Sequence, residues 1–311
     1  MIDISNGLHG AYTYRTARHA LGDHRLRGAI DEGALVAFGR GVLLSGDRVL
    51  DLRTRCAGAL LLAGRDAVLV GPTAAALHGC TAVGGFPVHV AVPYDHRVRS
   101  RSGLVVHQAA LPAAEITTVE GLRVSTLPAT IGELLCEAPR RAALACADQA
   151  LHALPAESRP ARWSEIHRYL RARPNRRGTR QAAELLSLAT GLPETPAESV
   201  LLLSVVEAGF PVPTSHYRPA DRRGRPRHRL TFAWPELRIA LTYQSPQPRP
   251  AGSSWPPPVA RTPGGAPPWP PPADLRAQGW LIVSAHPGDL IEPTQLCTRL
   301  RAAFTERRCA A

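Results

Sequence analysis

Arginine is the side chain whose chemistry is most prominent in this chain. All 37 basic residues are arginine and face 25 acidic residues, which gives a formal charge of +12. Guanidinium groups bind phosphate in a bidentate geometry, and a cationic surface that neutralises phosphates releases counterions. The excess charge therefore predicts a polyanionic partner, whereas the preference for arginine over lysine also fits a GC-rich genome. Without lysine, any reaction that needs a lysine base or Schiff base is excluded.

The cysteines and histidines lack the spacing of a metal site. The six cysteines include no Cys-x-x-Cys pair, so we expect reduced, mostly buried thiols and neither a zinc site nor a disulfide framework. His78, His89 and His107 match no ligand motif and have no accompanying carboxylate, so they are expected to be satisfied or surface histidines. No Ser-His-Asp arrangement, P-loop or dinucleotide fingerprint is present, and we expect no metal and no cofactor.

The N-terminal segment has the pattern of two short helices followed by a hairpin. Helical patterns cover residues 12–21 and 24–32, and a Gly-Asp break separates them, with Asp23 as a predicted N-cap. Two apolar strands around a Gly-Arg-Gly turn follow in residues 35–44. This order is typical of a winged helix-turn-helix, in which the second helix enters the major groove and the hairpin lies along the backbone.

The winged unit, assigned to residues 1–50, carries the side chains predicted to contact DNA. Leu26 and Ile30 are expected to face inward, which turns the charged residues of the second helix outward. The alternative is that these charges form the solvated face of a small amphipathic helix. The predicted DNA contacts in this unit are Tyr14, Arg15, His24, Arg25, Arg27 and Arg40.

Three further segments are predicted along the chain. Residues 51–170 alternate short apolar strands with helical stretches and are predicted to form a central mixed α/β domain. Residues 171–190 are a basic stretch running into a helix, either a solvated linker or a segment that follows a phosphate backbone. Residues 191–311 predict a C-terminal α/β unit. Residues 246–272 interrupt it as an extended or disordered insertion dense in Pro, Gly and Ser.

Another cluster of arginines precedes the first predicted core strand of the C-terminal unit. It is either a charged loop beside a hairpin or a phosphate-binding segment, and the local charge density favours phosphate binding. The arginines predicted to contact DNA there are Arg223, Arg225 and Arg227.

The order of several short motifs resembles that of actinobacterial AbiEi-antitoxin-like proteins. These join a winged helix and a central AbiEi-like region to a domain similar to the very-short-patch-repair endonucleases, which are of the PD-(D/E)XK type. The motifs are AYTYRTARHAL, GPTAAALHG, GLRVSTLPATIGELL and ETPAES followed by RLTFAWPELRIALTYQS. The resemblance implies a restriction-endonuclease-like C-terminal α/β domain, double-stranded DNA as partner, autoregulation, and a nucleotidyltransferase toxin of a type IV toxin-antitoxin system.

The resemblance also implies that the nuclease-like domain is inactive. In the nuclease-like relatives, three acids surround a magnesium ion; here Glu198 matches the helix acid, but Thr231 and Thr242 occupy the strand positions and Gln244 replaces the following aspartate. Hydroxyl and amide groups cannot offset the cost of dehydrating magnesium. We expect a vestigial site and no enzyme activity. A magnesium-dependent endonuclease with a rearranged centre is the alternative, and a protein-interaction scaffold without DNA affinity is the third possibility.

Hydropathy indicates a chain that does not enter a membrane. No apolar run approaches the about 18 residues that a spanning helix needs, and the N-terminus lacks the pattern of a secretory signal. We therefore expect a cytoplasmic protein. The parts of the chain outside the winged unit are expected to serve homodimerisation, DNA bending or contact with a partner protein.

Overall fold

The chain folds into two compact units. The computed structural model describes residues 7–220, 229–243 and 272–309. One unit comprises Met1–Ala189 and the other Thr190–Ala311. Both contain helices and sheets, which confirms the predicted mixed α/β class. The predicted boundary between winged unit and central domain falls inside the first unit.

The first unit begins with a small three-stranded sheet and a broken helix. Gly22, with φ 75° and ψ 164°, interrupts the helix, as the predicted break requires. The predicted start of the first helix at Tyr12 is wrong, because Tyr12 and Thr13 pair with the hairpin as a strand. The sheet order is β1-β3-β2, all antiparallel. The elements are β1 (Ala11–Thr13), α1 (Tyr14–Asp31), β2 (Leu35–Gly39) and β3 (Val42–Ser45).

A five-stranded mixed sheet follows, in the order β6-β5-β4-β8-β7. The pairs β5–β6 and β4–β8 are parallel, and the other two pairs are antiparallel. Val88, Val90 and Val92 alternate along β5 and pack into a core that also includes Cys56 and Ala59 of the helix at residues 52–63. The elements are α2 (Leu52–Ala63), β4 (Val68–Leu69), α3 (Gly71–Leu77), β5 (Val88–Val92), β6 (Leu104–Gln108), β7 (Ile116–Val119) and β8 (Leu122–Ser125).

Four helices complete the first unit, and the last of them is the helix predicted at the end of the basic stretch 171–190; it is packed against the protein and is not part of a solvated linker. Ala182, Leu185 and Leu186 are buried, because their helix packs against the other three. Arg173, which precedes it, is only 6% exposed. The helices are α4 (Leu127–Glu137), α5 (Arg140–His152), α6 (Arg159–Ala172) and α7 (Thr179–Leu188).

The second unit contains a four-stranded sheet in the order β12-β11-β10-β9. Strands β11 and β12 are parallel, and the other pairs are antiparallel. Phe232 and Leu241 of the central strands pack against Leu201 and Leu300 of two helices. The predicted insertion lies outside the described residues except for its last residue, Pro272, which begins a helix. The elements are α8 (Pro196–Glu207), β9 (Thr214–Tyr217), β10 (Leu230–Trp234), β11 (Ile239–Tyr243), α9 (Pro272–Ala277), β12 (Leu281–Ala285), α10 (Pro287–Ile291) and α11 (Thr294–Cys309).

The structure can be compared with two expectations from the sequence, which concern membrane-spanning helices and the cysteines. Over residues 7–220, 229–243 and 272–309, none of the helices combines the length and apolar character needed to cross a membrane. All six cysteines are free, and five are buried, while Cys309 is exposed. The prediction of mostly buried free thiols is confirmed.

Candidate nucleic-acid interface

The second half of α1 is anchored by one buried leucine. Leu26 is fully buried in a small core with Ala29, Leu35 and Leu43, and Ile30 packs partly against it. The prediction that Leu26 and Ile30 face inward is confirmed. Because these residues face the core, the polar and basic side chains beside them are exposed to solvent, and these are His24, Arg25 and Arg27.

The first half of α1 begins next to the hairpin turn. Thr13 Oγ1 accepts a hydrogen bond from the Thr16 backbone N–H at 3.0 Å and caps the helix. The Tyr14 backbone N–H donates to the Gly41 carbonyl at 2.8 Å. Gly41 has φ 76°, in the left-handed region that a tight turn uses and glycine tolerates. These bonds hold the start of the helix beside the turn that carries Arg40.

The structure divides the six predicted DNA-contacting residues of the winged unit into two groups. Tyr14, Arg15 and Arg40 lie around the junction of helix and hairpin, and all three are exposed. The remaining three lie on the second half of α1. Asp23, predicted as the N-cap of that half, forms an ion pair with Arg18 across the break at 2.6 Å. Contact of either group with DNA stays a prediction.

The hairpin is fixed against the central sheet by two arginines. The Arg55 guanidinium lies 4.6 Å from the ring centre of Phe86 and 5.8 Å from that of Phe38, which belongs to β2. Such stacking of a cation on aromatic rings is attractive. Arg101 packs on the end of the same strand, since a Cβ built on Gly39 would lie 2.7 Å from Arg101 Nη2.

The sequence pattern alone does not predict a role for either of these two arginines. A signal is present for one of them, because arginines alternate with other residues over 97–101, Arg-Val-Arg-Ser-Arg. The partner strand of the hairpin is distant in sequence, so the contact can be found only from the fold.

In the second unit, the predicted vestigial acid has protein partners. Glu198 Oε2 accepts a hydrogen bond from the Glu194 backbone N–H at 2.8 Å and lies 3.1 Å from His216 Nε2. Arg229 Nη2 lies 3.3 Å from His216 Nε2 and 2.6 Å from Glu194 Oε1. His216 has φ 52°, which is uncommon for a residue other than glycine. Glu198 is therefore part of a polar cluster with one histidine and one arginine.

The two threonines at the predicted acid positions lie on neighbouring strands. Thr231 precedes Phe232 and Thr242 follows Leu241, and Phe232 and Leu241 are paired between β10 and β11. The Tyr243 backbone N–H donates to Thr231 Oγ1 at 3.5 Å. Within the described ranges, no group of three or more His, Cys, Asp or Glu residues could hold a metal ion. Four predicted site residues lie outside the described residues: Arg223, Arg225, Arg227 and Gln244.

The three histidines of the central domain fall into a pair and a separate residue. His89 Nδ1 lies 3.0 Å from His107 Nε2, and the two rings stack with centres 5.2 Å apart. His78 Nε2 lies 2.8 Å from the Ser125 carbonyl oxygen. Burial lowers the pKa of His78 and of His89, and the neighbouring His107 lowers the pKa of His89 further. The prediction of satisfied histidines is confirmed for these three.

Similarity to known proteins covers most of the chain. The family model of the AbiEi antitoxin C-terminal domain matches residues 66–188. Uncharacterized protein Rv2248 of Mycobacterium tuberculosis strain H37Rv is 33% identical over 283 residues, which span 90% of this chain and 96% of the relative. Uncharacterized protein MT2308 of strain CDC 1551 matches to the same extent.

Among solved structures, the crystal structure of the RV2827C protein from Mycobacterium tuberculosis matches with a TM-score of 0.38 and 19% identity. The match covers 62% of this chain and 75% of that one. The chain belongs to the family of the two uncharacterized mycobacterial proteins, and its residues 66–188 match the model of the AbiEi antitoxin C-terminal domain.

Proposed function

We propose that this protein is a DNA-binding transcriptional regulator of the AbiEi antitoxin type. The observation that carries the proposal is the exposed Arg25 and Arg27 on either side of buried Leu26, on a helix that precedes an antiparallel hairpin. In a winged helix-turn-helix this helix enters the major groove, where side chains can distinguish base pairs. Tyr14, Arg15 and Arg40 would then contact phosphates, which fix the orientation of the protein on the duplex.

The antitoxin assignment extends the proposal to the protein's partners. The match of residues 66–188 to an antitoxin domain supports a toxin as functional partner, and we propose a nucleotidyltransferase. We further propose that the regulator acts in the cytoplasm on its own promoter and binds as a homodimer. A nucleotidyltransferase gene beside its own gene, and relief of the growth inhibition that this toxin causes when the chain is co-expressed, would support this assignment. Growth inhibition that persists in full in the presence of the chain would contradict it.

We also propose that the second unit resembles a PD-(D/E)XK nuclease but does not cut DNA and needs no cofactor. Thr231 and Thr242 are neutral where the nuclease-like relatives carry magnesium-binding acids, and Glu198 Oε2 has the Glu194 N–H and His216 as partners. A cage with a single available carboxylate binds magnesium poorly. Supercoiled plasmid should therefore stay supercoiled with and without magnesium. Magnesium-dependent nicking that disappears in Glu198→Ala would instead support an endonuclease.

The DNA-binding proposal is tested with the double variant Arg25→Ala, Arg27→Ala. Affinity is measured for a duplex from upstream of the protein's own gene and for a scrambled duplex of equal length and base composition. We expect the variant to lose the preference for the upstream duplex, because base contacts carry specificity. The control is Arg168→Ala, Arg308→Ala, which removes the same charge from exposed positions of α6 and α11 that no prediction assigns to DNA. An equal effect of both double variants would contradict a specific role for the winged unit.

A further inference from the structure

A loop of the central domain presents three arginines at the edge of the five-stranded sheet. The loop precedes β6, the edge strand, and runs back along it. The Val106 backbone N–H donates to Ser100 Oγ at 2.9 Å, and Gln108 Nε2 donates to the His96 carbonyl at 3.2 Å. Val98 packs against the core of the sheet. The loop is therefore attached to the sheet along its length.

The alternation of side chains turns the arginines of this loop outward. His96, Val98 and Ser100 make the contacts with the protein, and the odd-numbered positions between them are exposed. In an extended segment, alternate side chains are about 6.6 Å apart. Phosphates on one strand of B-DNA rise by about 3.4 Å along the axis and also wind around it, so that neighbouring phosphates are about 7 Å apart and alternate positions match successive phosphates. The exposed arginines are Arg97, Arg99 and Arg101.

The loop is held next to the wing by contacts within the same unit. Arg101 packs on Gly39, the residue before Arg40 at the tip of the hairpin. Arg55, which lies against Phe38 of the hairpin, also reaches Gly103 at the end of the loop, where a built Cβ would lie 2.7 Å from Arg55 Nη2. The exposed arginines of the loop therefore extend the positive surface that begins at the wing.

We propose that residues 97–101, the arginine loop, bind the DNA backbone beside the wing and extend the footprint of the protein beyond the winged helix. This inference rests on the proposed DNA-binding function. The loop contributes charge without base-reading geometry, since its arginines lie on the edge of a sheet and not on the helix that enters the groove. Its contribution is therefore independent of DNA sequence.

The test is the double variant Arg97→Gln, Arg99→Gln of the full chain; Arg101 is kept because it packs on the wing. Affinity is measured for the upstream duplex and for its scrambled counterpart over a range of salt. We expect equal weakening on both duplexes and a salt slope that falls by about 1.8, which is about 0.9 for each phosphate contact. The ratio of the binding constants of the unmodified protein and the variant should fall about 12-fold between about 50 mM and 200 mM salt. This follows because the salt concentration rises fourfold and the two slopes differ by about 1.8.

The control is Arg168→Gln, Arg308→Gln, which changes the net charge equally at exposed positions that no prediction assigns to DNA. Hydroxyl-radical footprints of the loop variant should lose protection only at phosphates beyond those protected by the wing. Unchanged affinity and slope in the loop variant, or an equal loss in the control, would overturn the inference. Failure of the unmodified chain to bind either duplex would refute the proposed function itself, whereas sensitivity to Arg25→Ala, Arg27→Ala with insensitivity to the loop variant would refute only this inference.

Discussion

Replacing Arg173 with methionine should weaken the helical part of the first unit. The buried guanidinium binds Glu133 at 2.6 and 2.8 Å and Glu137 at 2.9 Å, and it also donates to the carbonyls of Asn175 and Arg177. Methionine retains an unbranched apolar side chain and removes every one of these bonds. The loop between α6 and α7 would lose its main attachment.

The size of the stability loss depends on how well water can reach the two carboxylates that lose their partner. Removing one partner of a buried ion pair costs about 3–5 kcal/mol, and a surface pair is worth about 0–1 kcal/mol. The side chains of Glu133 and Glu137 are 35% and 60% exposed, so both carboxylates can be partly rehydrated. We expect a loss of about 2–3 kcal/mol, or about 30- to 160-fold in the local opening equilibrium.

The stability lost in the Arg173→Met variant should depend on pH. Burial acts to raise the pKa of Glu133, but hydrogen bonds from Arg173 and Tyr169 outweigh it, and the pKa in the folded protein is lowered. A group with a lowered folded pKa stabilises the protein fully above its unfolded pKa, and this stabilisation is lost as the pH falls through the folded value. The difference in the free energy of opening between the unmodified protein and the Arg173→Met variant should therefore be largest near neutral pH and become smaller in acid.

Peptide-resolved hydrogen exchange of the full chain measures this effect where it occurs, in α4, α6 and α7. Arg177→Met is the matched control, because its side chain is exposed in the same loop. The explanation by the ion pair is wrong if the amides of both variants exchange at the same rate. It is also wrong if the increase in exchange caused by Arg173→Met does not change with pH.

Three further predictions concern the first unit. Leu26→Ala should cost about 2–5 kcal/mol and weaken DNA binding without changing charge, measured by exchange in α1 and by affinity. Gly46→Ala should cost more than about 2 kcal/mol in thermal unfolding, because a Cβ there would overlap the Gly33 carbonyl, whereas Gly28→Ala, in a helix with open space, should stabilise by about 0.5–1 kcal/mol. His89→Gln should reduce the loss of stability as the pH falls below about 6.5, because the folded pKa of His89 is lowered and protonation favours the unfolded chain.

The local order of the winged unit could be predicted because it depends on neighbouring residues. The Gly22 break, the Gly-Arg-Gly turn and the inward Leu26 are each signalled within a few positions. The start of the helix was not predictable in the same way. Tyr12 and Thr13 fit a helical pattern, but pairing with Val42 and Leu43 of the hairpin makes them a strand.

Contacts between distant segments account for what the sequence does not predict. The basic stretch after α6 has the composition of a solvated linker, yet Arg173 is buried because α4 provides Glu133 and Glu137, about 40 residues away in sequence. The contact between His216 and Glu198 is also not predictable from the sequence, because the strand that carries His216 has no clear alternation of apolar residues. The composition of a segment gives its charge, but its contact partners are known only from the fold.

The hairpin and the first strand have two covered faces, and this limits how the winged helix can be used in engineering. Tyr12 and Leu43 pack under α1, whereas Ala11 and Leu44 belong to the core of the central sheet. A fragment cut after residue 50 would carry an uncovered apolar face into water. Exchange of the proposed DNA specificity should therefore be made by replacing the outward side chains of α1, and not by transplanting residues 1–50 as a module.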